Sequence, residues 1–167
     1  HPDTFSRLLS WDKPVVAALA FTRGIPPLPT VWTEEHSEIE DQYVIDFAGT
    51  IEWLKEHDIK TNREHLIEPR PDDALKRVKR TGTHVLLCHR SIFERMDPPW
   101  FQFPDRRDVG NRGEDFYFCK RLEAMGVPIY VDRSVIAGHS AGERSLGAVD
   151  FMAYAQIVPE WEAGNGN

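Results

Sequence analysis

Apolar positions along the chain fall into two kinds of pattern. Residues 15–21 form an unbroken apolar run, short enough to predict a strand buried on both faces. Val44, Phe47, Ala48, Ile51 and Leu54 recur at helical spacing and predict an amphipathic helix over about 43–57. Phe118, Cys119, Leu122 and Met125 predict a second helix over 113–125, closed by Gly126 in the C-cap position. Shorter helices are expected at 2–9, with Phe5, Leu8 and Leu9 on one side, at 91–96 and at 149–157. Strands are expected over 77–90, centred on Val85, Leu86 and Leu87, and as two short pieces at 128–131 and 135–137.

Between these elements the chain is polar or broken by proline and glycine. Pro26, Pro27 and Pro29 make 23–32 an extended loop. Residues 33–41 are acidic and expected to be exposed, and 58–73 reads as a surface excursion. Asp97-Pro98-Pro99 stops the short helix before it. Residues 105–112 form a charged loop and 138–147 a glycine-containing one. Strands alternating with helices predict an α/β layered fold. The expected unit is one domain over 1–160, with a frayed tail at 161–167.

Composition narrows the function. The length of 167 residues is one ordinary domain or a large piece of one. Basic residues number 20 against 27 acidic, a net charge of −7. That balance disfavours broad binding to nucleic acid or anionic lipid, while leaving room for a small basic cleft. Cys88 and Cys119 form no CxxC motif; they predict small buried hydrophobes in a reducing, cytoplasmic setting. No apolar run approaches the roughly 18 residues of a spanning helix, so no membrane segment or signal peptide is expected. The chain opens on His1-Pro2-Asp3 without an initiator Met, which points to a fragment.

Three segments could carry chemistry. In Gly113-Glu114-Asp115-Phe116-Tyr117-Phe118-Cys119, Glu114 lies four residues before Phe118 and Asp115 four before Cys119. Both carboxylates therefore extend the core-facing stripe at the helix start. Inward-pointing acids are costly unless that end opens into a cleft, where the helix dipole favours their ionised form. Such a carboxylate could act as a general base or bind substrate hydroxyls; simple N-terminal capping stays open beside this. His139 follows a short apolar strand and Gly138, at a strand end where ligands bind in open α/β sheets. It is a candidate metal ligand, with a hydrogen-bonded loop histidine as the plainer alternative. In Arg80-Thr81-Gly82-Thr83-His84, small residues at a strand start allow a ligand close to the backbone, or mark a β-bulge. His84 and His89, an odd number of positions apart on one expected strand, face opposite sides and form no ligand pair. Trp100 and Phe101 could stack a sugar ring or serve as buried packing.

In order, these segments resemble the C-terminal half of a GT-A-type glycosyltransferase of the family 2-like group. The resemblance is carried by His1-Pro2-Asp3, Lys13-Pro14-Val15-Val16-Ala17-Ala18, Thr81-Gly82-Thr83, Val85-Leu86-Leu87-Cys88-His89-Arg90 and Pro99-Trp100-Phe101. It continues through Gly113-Glu114-Asp115-Phe116-Tyr117-Phe118, Gly126-Val127-Pro128-Ile129-Tyr130-Val131-Asp132 and Gly138-His139, and spans nearly the whole chain. It implies a GT-A-like fold, a nucleotide-diphospho-sugar donor, a glycan or other hydroxyl acceptor, and Mn²⁺ or Mg²⁺. It implies Asp115 as catalytic base with Glu114 orienting hydroxyls, His139 on the metal, and Thr81, Gly82, Thr83, Trp100 and Gly113 on the substrate. The family's Asp-x-Asp element, which holds metal and diphosphate just before the segment matching His1, occurs nowhere in this sequence. The chain is therefore expected to be the acceptor side of the enzyme, lacking the nucleotide-binding half. A non-catalytic glycan- or protein-binding module on the same fold, and a metal-dependent hydrolase using Glu114, Asp115 and His139, are the alternatives.

Overall fold

The apolar run becomes a central strand, β1 (Val15–Ala20), in which every residue is buried. The computed structural model describes residues 1–33, 44–63, 65–103, 113–141 and 144–157; the expectations for 34–41, 105–112 and 161–167 fall outside them. Helix α1 (Thr4–Leu9) precedes β1. After it come β2 (Val31–Thr33), β3 (Val44–Ile45), α2 (Phe47–Glu56), β4 (His65–Leu66), β5 (Leu75–Val78), β6 (Arg80–Thr81), β7 (Leu86–Cys88) and α3 (Arg90–Arg95). The chain continues through α4 (Glu114–Ala124), β8 (Ile129–Ala137), β9 (His139–Ala141), β10 (Arg144–Leu146) and α5 (Ala148–Ile157).

The fold is mixed α/β. In the main sheet β1 lies between β8, which runs parallel to it, and β7, which runs antiparallel; β4 and β5 line the far edge of β8. A smaller sheet has the order β3-β2-β6, and β9 and β10 form a hairpin. Along β1, Val15, Ala17 and Leu19 join the core cluster that holds Leu54, Phe118, Leu122 and Phe151 from α2, α4 and α5. Val16, Ala18 and Ala20 join Leu8 of α1 on the opposite face. Helices thus cover both faces, as an uninterrupted apolar strand requires. Each fully buried Leu or Phe contributes about 1.5–3 kcal/mol. No helix among the described residues is long and apolar enough to cross a membrane.

Several expectations change. The two short strands at 128–131 and 135–137 are one strand, β8. Its register against β1 jumps from Ala18–Asp132 to Leu19–Ile136, so the intervening polar residues form a bulge. Buried Asp132 holds that bulge, accepting from the Ser134 N–H (2.9 Å), the Ser134 hydroxyl (2.6 Å) and the Trp11 indole (2.6 Å). The single strand expected over 77–90 is instead β5, β6 and β7, in two different sheets. His84 therefore lies in a bend between β6 and β7, and His89 caps α3 by accepting from the Ser91 N–H. The opposite-faces argument for these two histidines does not apply. In α1, Phe5 and Leu9 are 61% and 68% exposed, and only Thr4 and Leu8 are buried. The loop expected at 138–147 contains the β9–β10 hairpin. Residues 58–73 are pinned to α5 through Asn62, whose side chain accepts from the Val149 N–H (2.8 Å) and donates to Asp150 (2.6 Å).

Candidate functional site

Because β1 and β8 are parallel and pair as far as Ala20 and Ala137, the segments leaving them emerge side by side. Open α/β sheets bind ligands at such strand ends. One segment brings Phe21 and Arg23, the other Gly138 and His139. His139 Nδ1 lies 3.1 Å from the Phe21 carbonyl. A carbonyl only accepts, so Nδ1 carries the hydrogen. Independently, Arg23 Nε donates to His139 Nε2 at 2.8 Å, which requires a lone pair there. Both partners select the same neutral tautomer.

His84 arrives from the bend after β6. Its Nε2 lies 2.6 Å from His139 Nδ1, with the rings edge to face, centroids 4.3 Å apart and planes at 85°. Since Nδ1 of His139 is the donor, His84 accepts at Nε2 and carries its own hydrogen on Nδ1. Gly82 makes room for this ring: a Cβ there would stand 2.8 Å from His84 Nδ1 and 3.2 Å from Thr30 Cβ. His84 keeps solvent-exposed surface but is crowded by its neighbours. Burial lowers its pKa most and His139 lowers it further; Asp115 opposes them, and Arg23 adds to the lowering.

Asp115 comes from the first turn of α4. The helix starts at Gly113, whose φ of 145° and ψ of 179° other residues rarely adopt. Glu114 and Asp115 follow, both half-buried. The Thr83 hydroxyl donates to Asp115 Oδ1. Adjacent residues of one bend, Thr83 and His84, therefore hold Asp115 and His139. The far end of α4 is tied to β6: Arg80, 1% exposed, donates to Glu123 Oε2 at 2.6 Å and to the Lys79 carbonyl at 2.8 Å. Burial pushes the Glu123 carboxyl up, but the hydrogen bonds and charges of Arg80 and Lys79 outweigh it and hold its pKa below the usual value.

Of the residues expected from the sequence, Asp115, Thr83 and His139 converge, linked by His84. Gly82 and buried Thr81 lie beneath them, and the Thr81 hydroxyl has no hydrogen-bond partner among the described residues. Gly113 has a backbone reason for its identity. Trp100 and Phe101 are each about two-fifths exposed. Trp100 donates to the Met96 carbonyl and packs edge-on against Phe93, while Phe101 stacks on Phe118 at 4.5 Å; packing accounts for one face of each. Sequence reasoning missed Arg23, and named Arg80 and His84 only as members of the 80–84 segment, with His84 set aside as one of a ligand pair. Arg23 and His139 both lie just past the ends of apolar runs, and the parallel pairing of those runs was the signal that would have joined them. Two surface cavities, of about 110 and 310 Å³, lie elsewhere, lined by Arg77, Val78 and Lys79 and, in the smaller, by Glu123 and Gly126 at the opposite end of α4. Two histidines, Arg23 and, through Thr83, Asp115 meet around the His84–His139 contact, and we take that as the candidate site.

His139 was the expected metal ligand. Its Nδ1–H is anchored on the Phe21 carbonyl, the usual support for a ligating histidine, but its Nε2 already accepts from Arg23. Among the described residues, no group of three or more His, Cys, Asp or Glu side chains is gathered closely enough to hold an ion. No protein-family model, curated protein or solved structure matches the chain.

Proposed function

We propose that this chain forms the acceptor side of a GT-A-like glycosyltransferase, which moves a sugar from a nucleotide-diphospho-sugar to an acceptor hydroxyl. The observation that carries the reading is the convergence of Asp115 and His139 on the Thr83–His84 bend. A carboxylate from α4 and an imidazole from β9 are held by adjacent residues of one bend.

Asp115 takes the proton of the acceptor hydroxyl as its oxygen attacks the anomeric carbon and the bond to the diphosphate breaks. Thr83 fixes the carboxylate, and Glu114 beside it orients acceptor or sugar hydroxyls. By the resemblance, His139 would be the residue of this chain to help hold Mn²⁺ or Mg²⁺, which would supply neutralisation of charge on the leaving diphosphate. The Asp-x-Asp role falls to residues other than these 167. Cys88 and Cys119 are free thiols, which supports a reducing, cytoplasmic setting.

The test is a screen of nucleotide-diphospho-sugars against the full-length parent of this chain, with Mn²⁺ or Mg²⁺, reading nucleoside diphosphate release. Release from one donor class, lost in Asp115→Asn, is the expected result. Donor-independent silence with metal-independent glycan binding would favour a non-catalytic module instead.

A further inference from the structure

We propose that the guanidinium of Arg23, aimed by His139, binds a phosphate-class oxyanion where β1 and β8 end. The inference stands on the geometry of these two residues and does not require the transferase reading. It sets the structure against the metal role that the resemblance gives His139, and assigns the hold on phosphate to a residue that the resemblance does not name.

The Phe21 carbonyl claims the hydrogen on Nδ1 of His139, so the ring's lone pair lies on Nε2. That lone pair accepts from Arg23 Nε at 2.8 Å. What this corner offers to a ligand is therefore positive charge and N–H donors. With Nε–H spent on His139, the guanidinium keeps the N–H groups of Nη1 and Nη2, whose shared edge presents parallel donors. That fork matches the oxygens of a phosphate group, and its charge persists at any working pH.

The surroundings aim this cation without neutralising it. Arg23 is exposed, and among the described residues no carboxylate forms an ion pair with it. Its partner is a neutral imidazole, which orients the guanidinium and leaves its charge for a ligand. Asp115, the carboxylate nearest in the cluster, is engaged at Oδ1 by the Thr83 hydroxyl. Both sides of the contact are fixed from behind. Gly138 is packed so tightly that a Cβ there would collide with the Asn62 carbonyl and the Ser145 hydroxyl. The loop that carries Arg23 is closed at its base, where the Thr22 N–H donates to the Leu28 carbonyl (2.8 Å) and the Leu28 N–H to the Thr22 hydroxyl (2.9 Å). The position, at the ends of parallel strands, is where open α/β sheets bind ligands. Elsewhere the net charge of −7 repels phosphate.

The experiment titrates the full chain, in buffer containing a chelator, with inorganic phosphate and with inorganic pyrophosphate. Affinity is read by calorimetry, and the Arg23 Nε–H resonance by NMR. Wild type is compared with Arg23→Ala, Arg23→Lys, His139→Ala and His139→Gln. Loss of hydrogen bonds to a charged group should weaken binding about tenfold or more in Arg23→Ala. Arg23→Lys keeps the charge without the fork and should fall between it and wild type. His139→Ala frees the guanidinium, so it should weaken binding about threefold to tenfold and broaden the Nε–H signal by exchange with water. His139→Gln supplies an amide oxygen as acceptor and should restore both, which a merely structural histidine would not require. Tighter binding of pyrophosphate assigns the site to a diphosphate, and equal binding to a single phosphate; both support it. Equal affinity in wild type and Arg23→Ala, or no binding of either probe, would overturn the proposal. Full binding with an unchanged Nε–H signal in His139→Ala would overturn the aiming by His139. The readout is binding alone, so none of these outcomes decides whether Asp115 is a base.

Discussion

Thr83 donates its hydroxyl hydrogen bond to the Oδ1 of Asp115, while the next residue, His84, meets His139 at 2.6 Å. The bend between β6 and β7 is thus the piece that gathers the site. If Asp115 is a base, its aim depends on Thr83. Thr83→Val keeps the shape and removes the donor. It should lower transfer by about tenfold, mainly in kcat, against the 10²–10⁴-fold expected of a lost general base. A Thr83→Val rate equal to wild type would detach Thr83 from the chemistry.

Gly82 leaves no room for a side chain beside His84. Gly82→Ala should push the imidazole off His139. The His84 ring resonances, followed by NMR, should then titrate closer to the ordinary histidine range, because the His139 contribution to its lowered pKa is lost. An unmoved titration would mean that the ring tolerates the methyl group.

Arg80 and Glu123 join β6 to the far end of α4. Glu123→Gln removes the charge facing a buried guanidinium. The expected cost is about 1–3 kcal/mol, towards the low end because Glu123 is 40% exposed and screened by water. Thermal melts should show about 2–4 °C per kcal/mol for a chain of this size. The pH dependence has a definite sign. The folded pKa of Glu123 lies below its unfolded value, so its contribution is present above about pH 4.3 and is lost as pH falls through the folded value. In Glu123→Gln that part of the acid slope should be missing.

Much of the scaffold was readable from periodicity. The run at 15–21 declared a strand buried on both faces, and Phe118, Cys119 and Leu122 declared the buried side of α4, with Gly126 at its end taking a φ of 68°. What could not be read was set by distant partners. Asp132-Arg133-Ser134 looks like a break between strands. It is a bulge because Trp11, 121 residues away, satisfies the buried carboxylate. His84 looked like a strand residue because nothing local announces a partner 55 positions later. Arg23 looked like an ordinary loop charge until parallel pairing of β1 and β8 set it against His139. Asp115 was legible as an inward-facing acid; its hold by Thr83 was not.

Cys88 and Cys119 give a prediction independent of the site. Burial pushes their thiols up to about 12 and about 11. Both should resist alkylation at pH 8 in the folded chain and react on unfolding. Because the folded values lie above the roughly 8.5 of an unfolded thiol, the native state binds more protons in that window. Stability should decline as pH rises from about 8.5 towards those values. Rapid labelling of both thiols at neutral pH without unfolding would contradict the packing around them.

The most direct measurement is the initial rate of sugar transfer by Asp115→Asn against wild type, both in the full-length parent, at saturating donor, acceptor and metal, with the fold of the variant verified by its melt. The carboxylate account predicts a loss of at least about a hundredfold with donor affinity retained. A variant that transfers sugar at the wild-type rate would contradict it.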